Sequence, residues 1–199
     1  MEAHAYIEPN DAYEIIEGVK YMAASPFPYH TFIVGNLCRI FNNYLREKNC
    51  GVAFGDGVAV LFSEDNVFRP DVSIFCDFSL IAQFSRISSV PDLAVEVLSR
   101  STMKNDRGKK REIYERNGVK EYWIINPFDK TIEVYHLVDG KYVLDDVYQL
   151  YSTAEWNDLT AEEKAAAKFE IKVSLFDDLL VDVREVFRWL NEPLPVYNR

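Results

Sequence analysis

The run Leu93-Ala94-Val95-Glu96-Val97-Leu98 constrains the fold more than any other segment, because it reads as a buried strand that carries a single carboxylate. An ionised carboxylate inside such a strand is expensive unless something cationic meets it. A second acid, Asp71, follows Arg69-Pro70 and opens the apolar strand Val72 to Phe75. Taken singly, Glu96 reads as one half of a buried ion pair or as an edge residue facing water. Taken together with the next segment, the two acids suggest a site.

That segment, Lys104 to Lys120, holds seven basic residues against Asp106, Glu112 and Glu115. Asn105 or Asp106 is placed to cap a helix running to Asn117, with Gly118 as its stop. Such a helix sets Lys110 and Tyr114 four residues apart, on one side with Arg107 and Arg111 nearby. Two strand-borne carboxylates facing a basic helix suit a hard divalent cation bound to a phosphate. On charge alone, the basic stretch is equally readable as a solvated helix face.

The rest of the chain supplies a frame. Tyr13 to Ala23 reads as a hairpin turning at Glu17-Gly18, and Ser25-Pro26-Phe27-Pro28 breaks the pattern. From Tyr29 to Lys48 apolar residues recur at helical spacing, and Asn49-Cys50-Gly51 ends the helix. Strands are expected at Val52–Phe54 and Val58–Phe62, with a turn at Asp65-Asn66, and then at Val72–Phe75. Ser79 to Ile87 is a short helix or an irregular excursion. Three further strands, Glu121–Ile125, Thr131–Leu137 and Lys141–Val147, are punctuated by Pro127 and Asp139-Gly140. Thr160 and Glu163 form a capping-box pattern for a helix over Ala161–Lys168, and Leu179 to Leu190 has helical periodicity. A strand-rich centre with one helix before it and one inside it gives an α/β or α+β fold with a mixed sheet.

At 199 residues the chain has the length of one domain, 1–199, with a substantial core. No stretch approaches the roughly 20 apolar residues that cross a bilayer, and the first ten residues do not form a signal peptide. Three cysteines, Cys38, Cys50 and Cys76, with no CxxC pair fit reduced thiols in a cytoplasmic protein. A net charge of −10 argues against coating nucleic acid by bulk electrostatics.

The order Arg69-Pro70-Asp71-Val72-Ser73, then Leu93 to Ser99, resembles the two motif strands of the PD-(D/E)XK nuclease-like superfamily. Asp106-Arg107-Gly108-Lys109-Lys110, Tyr114, Gly118-Val119-Lys120-Glu121-Tyr122-Trp123 and Asn126-Pro127 narrow the resemblance to the Uma-type family. The opening Tyr13 to Gly18, and Ser25-Pro26 followed by His30, match that family as well; the resemblance covers roughly 13–138. It implies a restriction-endonuclease-like core, a mixed β-sheet flanked by helices, with 139–199 as an extension closing the domain. It implies a metal-dependent endonuclease hydrolysing DNA phosphodiester bonds, with Mg²⁺ as cofactor and Mn²⁺ as substitute. Asp71 and Glu96 would be metal ligands, the backbone carbonyl of Val97 a third, and Glu14 an additional carboxylate or a solvent-facing hairpin residue. The superfamily's lysine normally lies two residues after the glutamate, where this chain has Leu98. The matching lysine of the Uma-type pattern is Lys110, with Lys104 and Lys109 as nearby substitutes. His30 and Tyr114 are candidate phosphate contacts, with a helix-end histidine and a ring packed under the sheet as the bland readings; Arg107 completes the candidate substrate-binding set. Tyr122-Trp123 reads as core. The superfamily often dimerises, so a homodimer through a sheet edge or helix face is an open expectation. The alternative to the nuclease is a module that keeps the fold and binds nucleic acid or protein without catalysis.

Overall fold

A computed structural model describes residues 13–22, 26–56, 58–77 and 87–188. The expected hairpin is β1 (Tyr13–Ile16) and β2 (Val19–Met22). Its two-residue turn puts Glu17 at φ 51° and Gly18 at φ 76°. Both positive values belong to the turn type whose twist matches paired strands, and glycine adopts them without a Cβ clash. The long helix α1 (Pro28–Lys48) starts on a proline and stops where Asn49 turns left-handed.

Six strands form the main sheet: β3 (Val52–Gly55), β6 (Val72–Phe75), β7 (Leu93–Val97), β8 (Glu121–Asn126), β9 (Thr131–Val138) and β10 (Lys141–Gln149). Their spatial order is β10-β9-β8-β7-β6-β3. Strands β7 and β8 run parallel, with Glu96 opposite Ile124, while the other pairs are antiparallel. The sheet is therefore mixed, and the β7–β8 crossover is helical. That crossover comprises α2 (Met103–Asn105), a π-helical turn (Asp106–Lys110) and α3 (Arg111–Arg116).

Alternation along β7 assigns its two faces. Leu93, Val95 and Val97 join Trp123 and Ile125 against Ile33, Leu37, Phe41 and Leu45 of α1. Phe41 and Trp123 meet edge to face at 5.8 Å. Each such fully buried apolar side chain contributes about 1.5–3 kcal/mol. Ala94 and Leu98 face the other way, toward Ile113, Tyr114, Tyr122 and Ile124, and Ile16 and Phe68 close that layer. Glu96 shares their side of the strand, so its carboxylate enters the layer beneath the crossover helix. Ile16 and Phe68 come from a second sheet of order β2-β1-β5-β4, with β4 at Val60–Ser63 and β5 at Asn66–Phe68.

Several sequence expectations need correction. Asp65-Asn66 is more than a turn: Asn66 begins β5 and is buried, with Oδ1 accepting the Glu17 N–H at 3.0 Å. The crossover helix starts at Met103, so neither Asn105 nor Asp106 caps it. Asp106 is instead a buried residue within the helical run. The tail is not one long helix. Leu180–Asp182 is strand β12, paired with β11 (Glu170–Lys172), and Asp182 caps only the short α6 (Val183–Val186). The capping box at Thr160 is present on α5 (Ala161–Ala166), and Ser152 with Glu155 forms an equal one on α4 (Thr153–Asp158). Residues 78–86 and 189–190, which fall within two of the expected segments, lie outside the described residues. Among the described residues no helix is long and apolar enough to cross a membrane.

Candidate active site

Asp71 sits immediately before β6, and Glu96 lies on the neighbouring β7. Asp71 Oδ2 accepts the Val97 N–H at 2.6 Å, which ties the start of one motif strand to the end of the other. Its other oxygen, Oδ1, lies 2.9 Å from His30 Nε2, at the start of α1. Glu96 points into the opposite layer and is 3% exposed. Its Oε1 accepts from the Tyr114 hydroxyl at 2.6 Å and from Lys110 Nζ at 2.7 Å.

The π-helical turn explains how one helix delivers these groups. Such turns widen the helix locally and recur at functional sites. Here the turn and the α3 turn after it bring Asp106, Lys110 and Tyr114 inward together, and all three are buried. Lys110 Nζ also lies 3.0 and 3.2 Å from the two oxygens of Glu14 and 3.5 Å from Asp106 Oδ1. Glu14 Oε1 additionally accepts the Arg69 N–H at 2.7 Å. Glu14 is thus turned inward, with 15% of its side chain exposed, and does not face solvent from the hairpin.

Burial pushes Glu96 well above its ordinary value, and the nearby Asp106, Asp71 and Glu14 carboxylates add to the effect against the pull of Lys110. Asp106 is raised for the same first reason. Burial would lower Lys110, but Glu14, Glu96 and Asp106 outweigh it, so its ammonium is held more firmly than usual. Burial likewise works to lower His30, and the bond and charge of Asp71 reverse the sign. Glu14, Glu96 and Asp106 thus gather on one ammonium, with Asp71 near enough to push Glu96 up. This oxygen-rich, negatively charged donor set fits Mg²⁺ or Mn²⁺, which favour carboxylate and water oxygens.

The structure sorts the other sequence candidates. Among the three lysines, Lys110 is inside, Lys109 turns outward to Glu17 at 2.5 Å, and Lys104 is exposed. Arg107 is not brought to the cluster: it lies on the outer side of the π-turn and binds Glu133 Oε1 on β9 at 2.5 Å. Tyr114 takes the bland reading in part. Its ring is fully buried against Phe62, Phe68 and Tyr122, while its hydroxyl serves Glu96. Tyr122 and Trp123 are core, as expected, and hydrogen-bond to the Asp106 carbonyl and to Glu121. Asp56 was not singled out in the sequence. Its carboxylate lies 3.8 Å from His30 Nδ1, and one ligand atom from each of His30, Asp56 and Asp71 falls within 4.8 Å of the others. The sequence Gly55-Asp56-Gly57 carries no pattern that separates it from an ordinary loop.

A mixed sheet flanked by helices, with acids gathered on two neighbouring central strands, defines an α+β protein of nuclease-like architecture. The same architecture is found in a crystal structure described as a putative nuclease belonging to DUF820 from Anabaena variabilis. It superposes with a TM-score of 0.70 and 21% identity over 92% of this chain and 94% of that one. The chain belongs to the Uma2 family, described as putative restriction endonucleases, whose model matches residues 1–168. It is also 29% identical over 130 residues to the uncharacterized protein slr1290 of Synechocystis, covering 65% of this chain and 68% of that protein.

Proposed function

We propose that the protein is a metal-dependent endonuclease that hydrolyses DNA phosphodiester bonds at the cluster of Asp71, Glu96 and Lys110. The observations that carry this reading are Lys110 Nζ 2.7 Å from Glu96 on β7, and Asp71, before the neighbouring β6, whose carboxylate accepts the Val97 N–H beside Glu96 at 2.6 Å. Membership of a family of putative restriction endonucleases supports the same chemistry.

Asp71 and Glu96 would hold the ion, with Glu14 and the Val97 carbonyl as further oxygen ligands. The bound ion supplies Lewis acidity at the phosphoryl oxygen and lowers the pKa of a ligand water. Lys110, fixed by its carboxylate partners, orients the attacking water and offsets charge that develops on the phosphate. Tyr114 orients Glu96 by donating to Oε1. His30 faces the same aspartate from α1 and stands ready to donate to a phosphate oxygen when protonated. The protein carries a net charge of −10, and the basic groups Arg107 and Lys109 turn away from the cluster, each already paired with an acid. DNA would therefore engage mainly through the ion, and binding would weaken sharply without it.

The test is cleavage of supercoiled plasmid, duplex oligonucleotides and single strands in Mg²⁺ or Mn²⁺ by wild type and by Glu96→Gln. The reading expects cutting by the wild type that is lost in the variant, with both proteins showing the same circular dichroism. Equal cutting by both would overturn it. Metal-dependent binding without cutting would favour a fold-keeping module over an enzyme.

A further inference from the structure

Asp106 is a buried carboxylate to which the proposed chemistry gives no task. It is 2% exposed, and Thr102 hydrogen-bonds to it, yet its Oδ1 has no hydrogen-bond partner. A buried acceptor left in this way costs about 1–3 kcal/mol, more when charged, so its retention calls for a reason. Oδ1 faces the Lys110 ammonium at 3.5 Å from the other end of the π-turn, just beyond a good hydrogen bond.

An ammonium has three N–H donors and no acceptor. In this structure Glu96 takes Lys110 at 2.7 Å and Glu14 takes it at 3.0 and 3.2 Å. These two acids are also the ones that would turn to a divalent ion. When they do, the ammonium loses its close partners in a layer otherwise lined by Phe68, Tyr114 and Tyr122. A shift of a few tenths of an ångström then completes a bond to Asp106.

We infer that Asp106 is the positioning residue for Lys110: its free oxygen is the acceptor that keeps the ammonium in the site when Glu96 and Glu14 engage the cation. The inference rests on the nuclease reading of the cluster. It gives the π-turn a purpose, because the turn sets acceptor and ammonium side by side within one rigid element.

The test is a double-mutant cycle of Asp106→Asn and Lys110→Met, read as Mn²⁺ affinity by calorimetry. Asparagine keeps the shape and the neighbours but removes the charged acceptor. The expected result is about a tenfold loss of affinity for Asp106→Asn alone, a size usual for groups sharing one network, and less than a twofold effect in the Lys110→Met background. An equal loss in both backgrounds means that Asp106 acts on the ion directly and overturns the inference, as does no loss in either. If the wild type takes up no Mn²⁺, the nuclease reading falls and takes this inference with it; Mn²⁺ uptake with an equal loss in both backgrounds overturns Asp106 alone. Should a variant fail to fold, ¹³C-lysine NMR of the wild type decides. The Lys110 Cε resonance, assigned through its contact with the Phe68 ring, stays immobilised on loading with Mg²⁺ if Asp106 catches the ammonium. It moves to the narrow, averaged position of surface lysines if Asp106 does not.

Discussion

Replacing Lys110 with methionine removes the cation on which Glu14, Glu96 and Asp106 converge, at 3.0, 2.7 and 3.5 Å. Methionine fills much of the aliphatic stem, so the main loss is electrostatic. Removing one member of a buried ion pair leaves an uncompensated charge and costs about 3–5 kcal/mol. The cost is expected to depend on pH, because Glu96 and Asp106 already hold protons above their ordinary range and can neutralise themselves in acid. At pH 8 the full cost applies, which for a chain of this size is a fall in Tm of about 6–20 °C. Toward pH 5 the difference from wild type shrinks. Urea unfolding followed by circular dichroism at both pH values measures it. A loss below about 1 kcal/mol at pH 8, or a loss unchanged across the range, would refute the view that Lys110 neutralises this cluster.

Proton linkage at Glu96 gives a second expectation. Its folded pKa lies above the ordinary 4.5, so its stabilisation of the fold is present below that value and is lost as pH rises through the folded value. Relative to Glu96→Gln, the metal-free wild type should lose urea stability as pH rises above about 4.5, and Mn²⁺ should restore more of it at each higher pH; parallel curves would contradict this. His30→Ala tests the histidine's place. Protonated His30 competes with an ion for Asp71, and its pKa is raised above 6.5, so the variant should bind Mn²⁺ more tightly than wild type near pH 6. That advantage should fade as pH rises, whereas a loss of affinity at every pH would make His30 a ligand.

The parts of the fold that were legible in the sequence are those written in local patterns. Helix α1 showed in its apolar spacing, β7 in an apolar run interrupted by Glu96 alone, and both two-residue hairpins in Glu17-Gly18 and Asp139-Gly140. The π-turn was not legible, since nothing in Asp106-Arg107-Gly108-Lys109-Lys110 distinguishes it from an ordinary first turn. Asn105 or Asp106 reads as a cap because such residues usually lie at helix starts. Asp106 instead contacts Thr102 and Lys110, one turn away on either side within the helical run, and its carbonyl accepts the Tyr122 hydroxyl. Arg107 was placed near the site by helical proximity to Lys110, but it faces β9 and finds Glu133 there. Leu179 to Leu190 has helical spacing, and pairing with Glu170–Lys172 overrides it as far as Asp182. Within the site, Asp71 and Glu96 stood out because charge in apolar surroundings demands a partner, and Lys110 because it lies four residues before Tyr114 and matches the lysine of the Uma-type pattern. The inward turn of Glu14 and the approach of Asp56 depend on how the small sheet and the β3 turn sit against the main sheet, which no local pattern encodes.

The central claim is that the motif strands hold a divalent ion, and calorimetric titration of Mn²⁺ into wild type and Glu96→Gln tests it before any DNA substrate is chosen. The account predicts a binding isotherm for the wild type, with a proton release that grows as pH is lowered because the ion displaces protons from the raised Glu96, and no binding by the variant. Equal binding by the two proteins would place the ion elsewhere and contradict the account.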